Sequence, residues 1–143
     1  MSWRKASDGM RLALRDTVIP ALRQVGFRGS FPHLHRLRET HMDLLDFQFS
    51  QYGPNLFIEV ASVPAEHAAR CMARPASQRR ADAGFYFRRI GPMLGIDFEG
   101  AAVPRRATNL ADSVLRTISM EAEPWWLNPS PAVVLPNPSL ERP

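Results

Sequence analysis

Apolar residues recur every three or four positions from Ser7 onward, with charged residues between them. The members of this apolar stripe are Met10, Leu14, Val18, Leu22 and Val25. The spacing predicts an amphipathic helix. Ser7 or Asp8 is expected to cap its start, and Gly26 is typical of a left-handed C-terminal cap. Pro20 lacks a backbone donor, so the helix should kink or divide near Ile19.

The pattern then changes to alternation of apolar and polar residues, which predicts strands at residues 33–39, 43–51 and 55–63. Gly53 and Pro54 are expected at the tip of the second hairpin. That tip would pair Phe49 with Ile58 and Phe47 with Val60 on a core face. On the opposite, polar face it would pair Gln48 with Glu59 and Ser50 with Phe57.

The C-terminal half has a weaker pattern of apolar and polar positions. Residues 64–83 are rich in Ala and Arg and are compatible with a helical turn, a loop or both. Residues 84–91 are a candidate fourth strand, with Phe85 and Phe87 in the core and Tyr86 and Arg88 outside.

A second amphipathic stripe predicts a final helix, which Thr108 or Asn109 would cap and which would end before Pro124. The stripe consists of Leu110, Val114, Leu115 and Ile118. Trp125 and Trp126 are expected to close the edge of the core.

Together these elements predict an α+β fold. We expect a two-layer sandwich, in which an antiparallel meander sheet of three to four strands carries an N-terminal and a C-terminal helix on one face. Residues 1–126 would form a single domain. Residues 127–143 contain five prolines and are expected to form an extended or disordered tail.

Charge and cysteine content narrow the class of protein. The 18 basic and 14 acidic residues are spread along the chain, whereas nucleic-acid-binding proteins more often concentrate basic residues in a stripe or tail. The single cysteine, Cys71, cannot form an intramolecular disulfide and is expected to be a small buried residue. No apolar run is long enough for a signal peptide or a membrane span. We therefore expect a soluble cytoplasmic protein with no membrane association.

The polar face of the predicted sheet is the leading candidate for a binding site. A three-residue turn at residues 40–42 would bring Arg36 beside Asp46. The candidate site residues are Arg36, Asp46, Gln48, Ser50, Phe57 and Glu59. Their charges and the aromatic Phe57 suit a peptide or a small polar ligand. An ordinary solvated antiparallel face is the alternative interpretation.

The sequence supports other candidate sites less well than the polar face of the sheet. Arginine pairs beside an aromatic residue indicate an alternative nucleic-acid surface, which consists of Arg79, Arg80, Tyr86, Arg88 and Arg89. His33 and His35 lie two apart, but zinc needs more ligands than this pair supplies. No Gly-rich phosphate loop or nucleophile motif occurs, so no cofactor is implied. A catalytic pair of Asp46 and Glu59 is a third hypothesis, which depends on the predicted register.

The segments 18–22, 26–29 and 46–50, together with the strand that carries Arg36, resemble a bacterial family of small proteins, the domain of unknown function 4304. The matching motifs are Gly26-Phe27 after a helix and Gln48-Phe49-Ser50 in a strand. The resemblance implies a compact α+β fold in a bacterial cytoplasm and supplies no activity. We therefore predict a non-enzymatic binding module, with an immunity-type protein partner as a further alternative based on size and type alone.

Overall fold

Six antiparallel strands form one sheet in the computed structural model, which describes residues 3–132. The strands are β1 Arg28–Ser30, β2 His33–Leu37, β3 His41–Phe49, β4 Asn55–Pro64, β5 Phe87–Ile90 and β6 Ile96–Asp97. They are ordered β1-β2-β3-β4-β5, and β6 pairs with β4 in line with β5. The sheet is therefore an antiparallel meander, with two short strands more than the sequence predicted.

The N-terminal helical segment consists of α1 Arg4–Ala13, a π-helical turn Leu14–Val18 and α2 Ile19–Gln24. It begins before the predicted cap at Ser7. Pro20 is the second residue of α2, and the wider π-helical turn before it accommodates the ring that would disrupt a regular helix. Gly26 has φ 99°, and Phe27 N donates to Leu22 O at 3.1 Å, which confirms the predicted C-terminal cap.

The C-terminal helical segment repeats this arrangement. It contains α4 Pro104–Thr117, a π-helical turn Ile118–Ala122 and α5 Glu123–Leu127. The predicted start at Thr108 or Asn109 was wrong, because Pro104 is accommodated in the first turn, where its missing N–H has no intrahelical partner. The predicted end before Pro124 was also wrong, because the π-helical turn allows the chain to continue through the proline.

Both helical segments pack on one face of the sheet, which we call the helix-covered face. Its strand residues include Leu34, Leu45 and Ile58, all nearly inaccessible to solvent. Trp126 is fully buried there, with its ring centre 5.4 Å from that of Phe27 and its Nε1 donating to Ala61 O at 3.1 Å. These contacts confirm the α+β sandwich with both terminal helical segments on one face.

The opposite side of the sheet, the second face, is partly covered. Residues 65–83 form a 3₁₀ turn Ala65–His67, the short helix α3 Ala68–Met72 and a 3₁₀ segment Ala76–Ala83. They build a smaller core of Met42, Leu44, Ala61, Val63, Cys71 and Ala83. Farther along the same face, Gln48 is exposed and Phe57 is half-buried. The covering segment therefore leaves the part of the second face around Gln48 and Phe57 uncovered.

The two hairpin registers differ from those predicted. In β3–β4, Phe47 pairs with Ile58 and Asp46 with Glu59, because the tip is centred one residue earlier than Gly53-Pro54. This shift of two residues preserves the faces of both strands. In β2–β3, Leu37 pairs with Met42 and Arg38 N donates to His41 O, so the turn has two residues instead of three.

Outside the sheet core, Phe85 is 62% exposed, so its predicted place in the core was wrong. Phe87, the second aromatic of that segment, is half-buried against the smaller core of the second face. Within residues 3–132, no helix has the length and apolar character needed to cross a membrane. Residues 133–143 of the predicted tail lie outside the described residues.

Candidate functional site

One polar residue from each of five strands lies in a single line across the second face. Cross-strand pairing joins Ser30 to His33, His33 to Asp46, Asp46 to Glu59, and Glu59 to Arg89. Directly opposed residues share a face of a sheet, so all five side chains project to the same side. We call this line the polar row.

Asp46 is an acid of the polar row whose pKa is shifted by its surroundings. Its Oδ1 lies 2.8 Å from His33 Nδ1, and both side chains are 27% exposed. Burial raises the pKa of Asp46, while the bond to His33 opposes that rise, and the neighbouring Glu59 charge adds to it. The structure therefore contains an acid–imidazole pair beside a second carboxylate.

Glu59 is held by an arginine that is not part of the sheet. Arg80, from the 3₁₀ segment Ala76–Ala83, donates from Nη1 to Glu59 Oε2 at 2.7 Å. Arg89 Nε lies 4.0 Å from the same oxygen, and Arg89 Nη2 donates to Gln48 Oε1 at 3.3 Å. Two guanidinium groups thus flank one carboxylate.

Aromatic rings support both guanidinium groups. The Arg80 carbon Cζ lies 4.0 Å from the centre of the Phe87 ring, and Arg89 Cζ lies 4.2 Å from that of Phe57. Such stacking restricts an arginine side chain and leaves its outer donors available to a partner. Arg80 and Arg89 remain 43% and 54% exposed, so they are accessible while held.

The structure brings four of the six predicted site residues together on the second face, namely Asp46, Gln48, Phe57 and Glu59. Ser50 lies beyond the last β3–β4 pair, where its Oγ accepts a hydrogen bond from Tyr52 N at 3.1 Å. Its hydroxyl therefore organises the hairpin tip.

Arg36 does not belong to this surface, and its predicted position beside Asp46 was wrong. The two-residue turn pairs Arg36 with Asp43 on the helix-covered face. There Arg36 Nε donates to Asp43 Oδ2 at 2.8 Å, and both Nη atoms donate to Glu123 of α5. Its Cζ lies 4.3 Å from the centre of the Phe27 ring. Arg36 therefore joins the sheet to the C-terminal helix.

Sequence reasoning missed the contributions of His33 and Arg80 to the site. The sequence indicates His33 only as half of a metal pair and Arg80 only as part of an arginine surface. The alternation of β2 could have placed His33 opposite Asp46 if the turn length had been known. No local pattern in residues 76–83 indicates that this segment returns to the sheet.

The five residues of the alternative nucleic-acid surface are dispersed. Arg88 pairs with Val60 on the helix-covered side, whereas Arg89 pairs with Glu59 on the second face. Arg79 has a buried Nε, and Tyr86 is 44% exposed. These arginines therefore do not form one continuous basic stripe.

Cys71 is fully buried, and burial with the nearby Asp82 charge raises the pKa of its thiol to about 11. Such a thiol is protonated at neutral pH and is a poor nucleophile. In the part of the chain that the structure describes, no three His, Cys, Asp or Glu side chains are grouped to hold a metal ion.

Comparison with protein families identifies one match. A family model described as Domain of unknown function (DUF4304) matches residues 18–128, which confirms the resemblance inferred from the sequence. Comparisons with curated proteins and with solved structures find no match.

Proposed function

Since the chain belongs to the Domain of unknown function (DUF4304) family, a membership that names no activity, we propose from its geometry that it is a non-enzymatic binding module. The polar row, with Arg80 and Gln48, would hold a protein partner or a small polar ligand. The supporting observation is that Arg80 and Arg89, each stacked on an aromatic ring, flank Glu59 next to Asp46.

Fixed charges of both signs suit recognition. Asp46 is tied to His33 and Glu59 to Arg80, so a partner would meet an arrangement that needs little ordering on binding. A surface of this kind discriminates between partners through electrostatic complementarity. Phe57, half-buried below Arg89, supplies apolar contact area at the same place.

The first test replaces Gln48 and Glu59 together by alanine. The wild-type protein, isolated gently from bacterial lysate, should carry bound mass in native mass spectrometry that is lost on denaturation. The double variant should lose that mass, because Arg80 and Arg89 lose the side chains that orient them. Circular dichroism should report an unchanged fold.

The matched control replaces Gln24 and Asp112, exposed residues of α2 and α4, by alanine. This control should keep the bound mass. A wild-type protein without bound mass, or equal bound mass on wild type and the Gln48/Glu59 variant, would count against the proposal.

Nucleic-acid binding is an alternative that the geometry supports less. Glu59 and Asp46 lie beside Arg80 and Arg89 and would repel phosphates, and Arg88 faces the other side of the sheet. If this alternative holds, retention of mixed oligonucleotides must weaken steeply between low and moderate salt.

An immunity-type role would be one form of the binding proposal, in which the partner is a bacterial toxin. It rests on analogy of size and type. A location in the bacterial cytoplasm belongs to the same proposal and is compatible with the free, buried Cys71. Fractionation of cells that express the protein naturally would test the location.

A further inference from the structure

A polar cavity lies on the second face where the 3₁₀ segment Ala76–Ala83 approaches the first residue of β5, Phe87. Its volume of about 510 Å³ is within the range of small-molecule sites. None of the residues that line it is acidic. Four of them have side-chain hydrogen-bond donors, namely Arg74, Ser77, Gln78 and Arg80. We call it the arginine cavity.

The 3₁₀ geometry explains how donors and open space come together in this cavity. Residues three apart in a 3₁₀ helix lie in line, so Ser77 and Arg80 form one row. The next row contains Ala81 and leads to Gly84, and both line the cavity with little or no side chain. A Cβ atom built at Gly84 would meet no other atom within 4 Å, so the space there is open.

Arg74 is held in the cavity by a buried carboxylate. Its Nε and Nη2 donate to Asp82, whose side chain is 2% exposed, and Arg70 Nε donates to the same carboxylate at 3.1 Å. The bond to Arg74 lowers the pKa of Asp82, so this carboxylate is ionised at neutral pH. Arg74 is itself 39% exposed, and its Nη1 has no hydrogen-bond partner within residues 3–132.

Arg80 is held from two sides. Its Nη1 donates to Glu59 at 2.7 Å, and its Cζ lies 4.0 Å from the centre of the Phe87 ring. Within the described part of the chain, its Nε and Nη2 have no hydrogen-bond partner. Both arginines of the cavity therefore have a fixed position and free donors, and an occupant would need to order neither of them.

Positive charge exceeds negative charge around the cavity. The Asp82 carboxylate is shared by two arginines, and the Glu59 carboxylate is shared by Arg80 and Arg89. Four arginines thus meet two carboxylates, which leaves two positive charges unbalanced. Asp46 is the next acid, but it lies on β3, with β4 between it and β5, and is bonded to His33. An occupant with two negative charges would balance the ion pairs.

We propose that the arginine cavity binds a small organic phosphate monoester. Such a group carries a charge of about −1.5 to −2 at pH 7 and has three acceptor oxygens. These oxygens accept from the free donors of Arg74 and Arg80 and from the Ser77 hydroxyl. The cavity is larger than a phosphate group, so the organic part lies against Gly84 and Phe87. The cavity shares Arg80 with the polar row but does not depend on the function proposed for that row.

The test titrates the full ¹⁵N-labelled chain with ribose 5-phosphate, and in parallel with ribose and with dimethyl phosphate, a phosphodiester that carries one charge. The backbone amide signals of residues 76–84 should shift saturably with ribose 5-phosphate, and those of α4 should not. Ribose and dimethyl phosphate should each bind at least about tenfold more weakly, because the first lacks the charge-assisted bonds and the second has fewer acceptors and half the charge.

Two variants test the donors and the charge of the cavity. Arg74→Gln should weaken ribose 5-phosphate at least about tenfold, whereas Arg105→Gln, at an exposed position of α4, should not change its affinity. Ser77→Glu places a carboxylate in the cavity and should abolish binding. Its control is Gln24→Glu, the same change in charge at an exposed position of α2. Ser77 is exposed, so its variant tests the site even if Arg74→Gln does not fold.

Several results would overturn the proposal. They are the absence of a saturable shift, equal affinity for ribose 5-phosphate and either parallel compound, and equal effects of Ser77→Glu and Gln24→Glu. Binding of dimethyl phosphate as tight as that of the monoester would point to nucleic acid instead. Arg74 and Ser77 lie outside the polar row, so these results are distinct from a loss of bound mass in the Gln48/Glu59 variant.

Discussion

At the scale of single residues, Asp46 shows how burial and charge oppose each other within the candidate site. Its carboxylate is bonded to His33, yet its pKa is raised from the ordinary 3.8 because burial outweighs that bond. The folded protein therefore binds this proton more tightly than the unfolded chain does. Ionisation of Asp46 therefore costs folding free energy.

Replacing Asp46 by asparagine should change the pH dependence of stability. The stability that wild type gains from protonated Asp46 is present below pH 3.8 and is lost as pH rises through the raised folded pKa. Wild type should therefore lose stability relative to Asp46→Asn between about pH 3.5 and pH 7. Urea unfolding at both pH values measures the difference.

The control for this prediction is Asp112→Asn, at an exposed position of α4. Its stability relative to wild type should stay nearly constant over the same pH range. A constant difference for Asp46→Asn as well would mean that His33 compensates fully for burial.

At the scale of elements, Arg36 is the principal polar link between the sheet and the C-terminal helix. It is 12% exposed and bonds both Asp43, which is fully buried, and Glu123. Its guanidinium also lies over the Phe27 and Trp126 rings. The position of α5 therefore depends on a side chain of β2.

Arg36→Ala should lower the free energy of unfolding by about 3 kcal/mol, because it leaves the buried Asp43 without one of its charge partners. Tryptophan fluorescence during urea unfolding would report this loss. Arg105→Ala, at an exposed position, should cost less than about 0.5 kcal/mol. Equal stabilities of the two variants would contradict the role of Arg36.

The close approach of α1 to the turn before α4 depends on Gly9. A Cβ atom built at this position would lie 2.0 Å from the carbonyl oxygen of Ala101. Gly9→Ala should therefore destabilise the protein by about 2 kcal/mol through overpacking, although alanine favours helices. Thermal unfolding would measure the loss, and Asp8→Ala in the same helix is the matched control. A stabilised Gly9→Ala variant would contradict the close contact.

At the scale of the whole molecule, hydrophobic periodicity predicted the element types and the layer arrangement. Leu45 and Phe47 alternate with Asp46 and Gln48, so the pattern alone assigns each side chain of β3 to a face. Hydrophobic periodicity did not predict the relative register of the strands, because the register depends on the length of each turn. One residue fewer in the β2–β3 turn moved Arg36 from the predicted site to the helix-covered face.

The remaining parts of the site depend on contacts between residues distant in sequence. Arg80 reaches Glu59 from a segment with little periodicity, and Arg89 of β5 reaches Gln48 of β3 across the intervening strand β4. Phe85 looks like a core residue by type but lies just before β5, where no element covers it. Tertiary packing determines these positions, and the local pattern of apolar and polar residues does not predict that packing.

The paired π-helical turns also bear on chain length. A π-helical turn contains one residue more than an α-helical turn. Deleting one residue from Ile118–Ala122 would therefore restore a regular helical turn and leave α5 close to its present orientation. Deleting one residue from the regular part of α4 would instead rotate α5 by about 100° and remove Trp126 from Phe27 and Glu123 from Arg36 together. The two neighbouring segments thus differ in their tolerance of a change in the number of residues, and the C-terminal anchor depends on the length of α4.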